Sequence, residues 1–134
     1  MTKANSKKSG SCLCGAVAFE IDGPLGDVVC CHCSQCRKQT GHVHATTQAE
    51  KKHLHMLRED GLAWYHATPG ARRGFCSKCG STLFWEELGR DDVAILAGAL
   101  DAPTGLKTVK HIFVADKGDY YELNDGLPQY QQVG

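Results

Sequence analysis

Three cysteine motifs constrain this chain more than any other feature of its sequence. Eight of the 134 residues are cysteines, and all but one of them fall in short clusters. The clusters are Cys12-Leu-Cys14, Cys31-His-Cys33-Ser-Gln-Cys36 and Cys76-Ser-Lys-Cys79-Gly80. Sulfurs separated by one or two residues reach the same metal ion, and a glycine after the last pair permits the tight turn of a zinc knuckle. The spacing therefore favours metal binding.

The expected compartment and the ligand chemistry both indicate zinc. Three lysines occur in residues 1–10, but no apolar segment of the kind found in secretory signals follows them. We therefore predict a cytoplasmic protein, and in that compartment clustered cysteines are metal ligands or catalytic thiols more often than disulfides. Thiolates without histidine ligands favour tetrahedral zinc, with an iron–sulfur cluster as the minor alternative.

Charge and hydropathy argue against two classes of partner. Fifteen basic residues balance fifteen acidic ones, and two zinc–thiolate sites would bring the folded protein to a net charge of about −3. Nucleic-acid-binding proteins normally carry a basic surplus instead. The longest apolar run, residues 93–100, is too short to span a membrane. The sequence thus predicts neither a nucleic acid nor a membrane as a partner.

Short strand-like segments predict a mostly β domain. Some alternate apolar and polar residues and others are short apolar runs, and turn-forming residues separate about eight of them, at 17–21, 28–30, 42–48, 53–57, 62–66, 82–86, 93–97 and 111–114. The polar segment 34–40 is expected to form a helical turn that ends at Gly41. Residues 1–9 are predicted to be a flexible tail, and residues 10–134 a single zinc-binding domain.

Counting the ligands predicts two different zinc sites. Cys30 lies in an apolar strand and points away from Cys31, so we expect a buried thiol that binds no metal. The remaining seven sulfurs make one four-sulfur site and one three-sulfur site. Four ligands complete a structural tetrahedron, whereas three leave a position for water or substrate. The spacing leaves the pairing open, although the two cysteine pairs would naturally form the closed site.

The motifs and their order resemble the glutathione-dependent formaldehyde-activating enzyme family. The resemblance rests on Gly10-Ser-Cys-Leu-Cys-Gly-Ala-Val, on residues 31–41 and 75–83, and on residues 97–101, 111–114 and 125–130. It implies a complex, coiled β-sheet fold with two zinc ions. It also implies which cysteines meet. The structural zinc would be held by Cys12, Cys14, Cys76 and Cys79, and the open, catalytic zinc by Cys31, Cys33 and Cys36.

The resemblance implies a reaction as well. The family joins formaldehyde to glutathione and forms S-hydroxymethylglutathione, which in reverse is a carbon–sulfur lyase reaction. We therefore expect a zinc-dependent enzyme whose partners are a glutathione-like thiol and an aldehyde. The alternative is a non-catalytic zinc β-domain that serves as a binding or chaperone-like module. In that case Cys30 or a nearby histidine would close the second site as a fourth ligand.

Basic and imidazole side chains near the motifs have two interpretations each. Five basic residues either bind the carboxylates of glutathione, or they balance the charge of the zinc–thiolate sites or simply face solvent, and the second interpretation is favoured. They are Arg37, Lys38, Arg72, Arg73 and Lys78. His32, between two ligands, is expected to point away from the metal. His42 and His44 are expected to share a solvated strand face.

Overall fold

The structure is a computed structural model that describes residues 7–133. Within this range the chain forms ten strands and one α-helix. In chain order they are β1 (Lys8–Ser11), β2 (Val17–Ile21), β3 (Val28–Cys31), α1 (Ser34–Thr40), β4 (His44–Glu50), β5 (Leu54–Glu59), β6 (Leu62–Thr68), β7 (Ala71–Cys76), β8 (Thr82–Glu87), β9 (Asp92–Leu96) and β10 (Thr108–Ile112). Over the same residues, no helix is long and apolar enough to cross a bilayer.

The strands form two sheets that share one hydrophobic core. The small sheet has the order β1-β2-β5, and the large sheet has the order β10-β3-β4-β9-β8-β7-β6. Neighbouring strands are antiparallel, except that β10 is parallel to β3. Phe19 of the small sheet meets Phe84 of the large sheet edge-on, with ring centres 5.1 Å apart. Because side chains alternate between the two faces of a strand, each sheet contributes one apolar face to the core.

The predicted mostly β class is confirmed, and so are the eight predicted strands, whose ends shift by at most three residues. The predicted helical turn is α1, and Gly41 ends it in the left-handed conformation with a φ of 83°. A residue without a Cβ adopts this conformation at low cost, which is why a glycine stops the helix.

Two strands have no signal in the sequence. β1 contains no large apolar residue and forms by pairing with β2. It includes Lys8 and Ser9, so the predicted tail is wrong at these two positions, and residues 1–6 of that tail lie outside the described range. β7 carries two consecutive arginines and still lies between β6 and β8. Its charges are tolerated because neighbouring elements supply their partners.

The segment after β10 returns along the same strand. The backbone N–H of His111 donates to the carbonyl of Pro128, and the N–H of Tyr130 donates to the carbonyl of His111, each at 2.9 Å. A further bond joins the N–H of Phe113 to the carbonyl of Gln132 at 3.0 Å. The C-terminal segment therefore covers β10, the edge strand of the large sheet.

Candidate metal centres

The first cysteine cluster joins the two sheets. The sulfurs of its four members lie within 4.8 Å of one another: Cys12, Cys14, Cys76 and Cys79. Cys12 and Cys14 are 3.7 Å apart, and Cys14 and Cys76 are 3.8 Å apart, measured between Sγ atoms. Four sulfurs that each lie about 2.3 Å from one ion are separated by about 3.8 Å. The donors thus fit a tetrahedral zinc ion, and all eight cysteines of the chain are free of disulfides.

Two tight turns bring these sulfurs together. The backbone N–H of Gly80 donates to the carbonyl of Cys76 at 2.7 Å, and Gly80 has a φ of 82°. Gly15 has a φ of 85° and donates to the carbonyl of Cys12 at 3.3 Å. The turn predicted after the last cysteine pair is therefore confirmed, and a second glycine performs the same task in the β1–β2 connection.

Hydrogen bonds favour the thiolate form at two cysteines of this cluster. The hydroxyl and the backbone N–H of Ser81, followed by the backbone N–H of Cys14, lower the pKa of Cys79 to about 5. Burial acts to raise the pKa of Cys12, but hydrogen bonds from the backbone of Val17 and from neighbouring thiols outweigh it, so that this pKa is lowered. At Cys14 a backbone hydrogen bond from Ala16 acts to lower the pKa, but burial and the neighbouring thiols raise it to about 11. Zinc binds thiolates rather than thiols, so the contacts of Cys12 and Cys79 favour metal binding.

The second cluster is built around the start of α1. Cys31 ends β3, Cys33 is the N-cap of α1, and Cys36 lies in its first turn. Their sulfurs lie within 4.8 Å of one another, and no fourth histidine, cysteine or carboxylate of the described residues joins the group. Cys30 is outside both clusters and is half-buried, not buried as the sequence predicted. The donor set is thus three sulfurs, which suits a zinc site with one open position.

The pKa values of Cys31 and Cys36 in the second cluster shift in opposite directions. A hydrogen bond from Cys36 lowers the pKa of Cys31. The same contact, together with burial, raises the pKa of Cys36 to about 11, while a hydrogen bond and charge from His44 act in the opposite direction. A cation at this place would relieve the competition between the sulfurs, so their chemistry also fits a bound metal.

Arg73 neutralises this cluster from the large sheet. Its side chain is buried, and its two terminal nitrogens lie 3.8 and 3.7 Å from the sulfur of Cys36. The guanidinium also donates to Gln39 at 2.9 Å and to Gln35 at 3.2 Å, both in α1. Its neighbour Arg72 takes no part, because it stacks on Trp64 and pairs with Glu86. The charge-balancing interpretation of the basic residues thus agrees with the contacts of Arg73.

His44 corrects an expectation from the sequence. It was expected beside His42 on a solvated face, but it is buried, whereas His42 is exposed and its Nδ1 lies 3.1 Å from the hydroxyl of Tyr120. The reason is that β4 begins only at His44 and pairs this residue with Cys31. The register therefore turns the imidazole toward the cysteine cluster.

His32 belongs to a series of hydrogen-bonded polar side chains that no sequence motif predicts. Its Nδ1 lies 2.6 Å from the hydroxyl of Tyr121, and its Nε2 lies 2.9 Å from Nδ1 of His111. Nε2 of His111 is 2.7 Å from the carboxylate of Asp125. Burial, followed by the charge of His111, lowers the pKa of His32 to about 4. These contacts attach the C-terminal segment to the turn that carries Cys31 and Cys33.

Comparisons with known proteins agree with this geometry. A Halomonas elongata protein named for glutathione-dependent formaldehyde activation is 33% identical over 137 residues, covering 85% of this chain and 79% of that protein. A Schizosaccharomyces pombe protein described as an uncharacterized lyase is 25% identical over 115 residues, covering 85% and 83%. A crystal structure of a Rhodobacter sphaeroides protein has the same fold, with a TM-score of 0.61, 21% identity, and coverage of 90% of this chain and 98% of that one.

The family assignment follows from a match that includes both clusters. The profile described as glutathione-dependent formaldehyde-activating enzyme matches residues 7–116, which contain all seven clustered cysteines. Together with the Halomonas elongata relative, this match shows that the chain belongs to the glutathione-dependent formaldehyde-activating enzyme family.

Proposed function

We propose that this chain is a zinc-dependent enzyme of the carbon–sulfur lyase type that joins formaldehyde to glutathione. The observation that carries the proposal is the three-sulfur cluster at Cys31, Cys33 and Cys36, to which no fourth donor of the described residues belongs. When zinc is bound there, it lowers the pKa of a bound thiol and polarises an aldehyde oxygen. We assign the four-sulfur cluster a structural zinc, because its donor set is complete.

The reaction needs no oxidant or reductant. The thiol of glutathione gives up its proton to solvent, and its sulfur forms a bond to the carbon of formaldehyde. The carbonyl π electrons move to the oxygen, which takes up a proton and becomes the hydroxyl of the product. The chain contributes by holding the two reactants in contact, which converts a bimolecular addition into an effectively unimolecular one.

A cavity beside α1 is the place that we propose for the body of the thiol substrate. Its volume is about 790 Å³, within the range of small-molecule sites. Gln39 and Thr40 line it at the end of α1, whereas Ser11, Cys12 and Ser81 line it beside the four-cysteine cluster, and none of the three cysteines of the second cluster is in its lining. The link to that second cluster is indirect: Gln39 accepts a hydrogen bond from Arg73, which also donates to Cys36. The polar members of this mixed lining suit the amide groups of a tripeptide.

The test uses protein that contains two equivalents of zinc. We expect glutathione to bind with release of a proton, measured by calorimetry in buffers of different ionisation enthalpy. We also expect the protein to accelerate formation of the hydroxymethyl adduct beyond the spontaneous rate, which is subtracted. Cys33→Ser should lose both properties, whereas Cys30→Ser, which alters a cysteine outside both clusters, should keep them.

A two-zinc protein that neither binds glutathione nor accelerates the adduct would overturn this pair of substrates. The same result, combined with a fourth protein ligand in the second site, would favour the structural zinc module.

A further inference from the structure

We propose that His44 is a further catalytic residue of the three-cysteine centre, where its imidazole donates a hydrogen bond to the oxygen on the aldehyde carbon. The inference rests on the function proposed above and adds a residue outside the cysteine motifs. Its role is hydrogen bonding, without transfer of a proton from the ring.

The strand register directs His44 toward the centre. β4 is antiparallel to β3, and His44 is the direct partner of Cys31. Residues that oppose each other in this way project from the same face of the sheet, with Cβ atoms about 5 Å apart. His44 is therefore adjacent to Cys31, one of the three cysteines.

The imidazole has unused hydrogen-bonding capacity. His44 is only 4% exposed, and within the described part of the chain its Nε2 is buried and has no hydrogen-bond partner. Buried polar atoms without a partner are rare in folded proteins, because desolvation without a compensating hydrogen bond is unfavourable. A molecule bound beside Cys31 would supply the missing partner.

The same geometry argues that His44 is not the fourth metal ligand. A nitrogen in the remaining corner of a zinc tetrahedron would lie about 3.6 Å from each of the three sulfurs. No nitrogen of His44 lies within 4.8 Å of all three. His44 thus does not complete the donor set, and its imidazole remains available to contact a molecule bound at the three-cysteine cluster.

The reaction creates an acceptor for this donor. As the sulfur bonds to the carbonyl carbon, electrons move to the oxygen, whose negative charge grows until it takes up a proton from solvent. An N–H that is already oriented toward that oxygen stabilises the transition state more than the ground state. Sulfur is a weak acceptor by comparison, so the oxygen is the atom that the imidazole would recognise.

The first experiment uses two simple thiols as probes on cobalt-loaded protein. Ethanethiol and 2-mercaptoethanol have similar sulfurs, but only the second carries a hydroxyl group near the sulfur. We expect the wild type to bind 2-mercaptoethanol about tenfold more tightly, followed by cobalt absorption. His44→Phe should remove this preference, His44→Gln should restore part of it, and His42→Phe, the matched control at an exposed position, should leave it intact.

Two results would overturn the proposal. One is an absent preference in the wild type, or a preference that His44→Phe leaves unchanged. The other is a change in the cobalt spectrum of His44→Phe before any thiol is added, which would make His44 a metal ligand. His44→Gln guards against misfolding, because it retains a polar side chain at the same place.

The second experiment measures adduct formation from glutathione and formaldehyde. We expect His44→Phe to lower kcat about 100-fold, the usual effect of removing one such donor, with little change in the KM for glutathione. An unchanged kcat would contradict the proposed role. Failure of the proposed function itself would appear in the wild type, whereas the thiol preference uses neither substrate and tests His44 alone.

Discussion

Cys33 has two contacts that a substitution can separate. Its sulfur belongs to the three-cysteine cluster, and it also accepts a hydrogen bond at 3.3 Å from the backbone N–H of Cys36, which caps α1. Serine is among the preferred N-cap residues, whereas a neutral hydroxyl is a poor substitute for a thiolate ligand. Replacing sulfur by oxygen therefore removes the metal contact and keeps the cap.

We predict that Cys33→Ser loses one equivalent of zinc and still unfolds cooperatively. The four-sulfur cluster and the core remain, so metal content should fall from two equivalents to one, measured by atomic absorption, while the unfolding transition stays sharp. Cys33→Ala should lose the same zinc and about 1 kcal/mol more in the free energy of unfolding, because the cap is lost as well. Loss of both ions in Cys33→Ser would show that the two sites are not independent.

The turn between β5 and β6 supports the four-cysteine cluster at the scale of an element. A Cβ added to Gly61 would lie 2.6 Å from the sulfur of Cys76 and 3.3 Å from the Cβ of Ala16. The backbone of this turn is fixed, because the carbonyl of Gly61 accepts a hydrogen bond from Ser77 at 2.7 Å. The sulfur, rather than the turn, would have to move.

We predict that Gly61→Ala weakens zinc binding at the four-cysteine cluster and lowers the free energy of unfolding by about 2 kcal/mol, as other overpacked sites do. Gly70→Ala is the matched control, since a Cβ there meets no atom within 4 Å in the β6–β7 turn. Competition with a chromogenic chelator measures the affinity, and thermal unfolding measures the stability. Equal behaviour of the two variants would contradict the assignment of Gly61.

Sequence patterns predict those elements whose signal is local. β2 has large apolar residues at every second position, β8 is a short apolar run between turn residues, and Gly41 marks the end of α1, so these could be placed without a structure. β7 could not, because Arg72 and Arg73 are polar by any local measure, and their partners Glu86 and Cys36 come from other elements.

The residues of the candidate site also fall into those that a local sequence pattern predicts and those that it does not. Its seven cysteines are recognisable from spacing, and the resemblance to a family implied their pairing. His44 is not recognisable from the sequence, because only strand pairing brings it to the cysteine motifs. The hydrogen-bonded side chains that join Tyr121 to Asp125 are not recognisable either, because their contacts link residues as many as 89 positions apart. Cross-strand register is not visible in a short sequence motif, and so it was the missing information.

For the molecule as a whole, the four-cysteine cluster is the junction of the two sheets. Cys12 and Cys14 lie in the connection between β1 and β2 of the small sheet, whereas Cys76 ends β7 of the large sheet and Cys79 lies in the turn that follows. Cys12 and Cys76 are also part of the shared core. Zinc binding at this junction would contribute folding free energy that a small β-domain otherwise lacks.

We predict that Cys76→Ser gives insoluble or zinc-poor protein. The substitution removes one of four ligands at a fully buried position and leaves a hydroxyl in the core. Zinc content and cooperativity of unfolding are the measurements, and Cys30→Ser, outside both clusters, is the control. Soluble Cys76→Ser protein that unfolds cooperatively and retains all its zinc would refute the structural role of this cluster.

The strand-like return of the C-terminal segment has a consequence for the solubility of the chain. The family match ends at residue 116, but Pro128 and Tyr130 bond to the backbone of His111 in β10, and the side chain of Asp125 bonds to that of His111. A chain shortened to the matched region would expose the backbone groups of an edge strand, which then serve as a template for pairing with another copy. We therefore expect the C-terminal segment to limit aggregation, and any shortened variant should be judged first by its solubility.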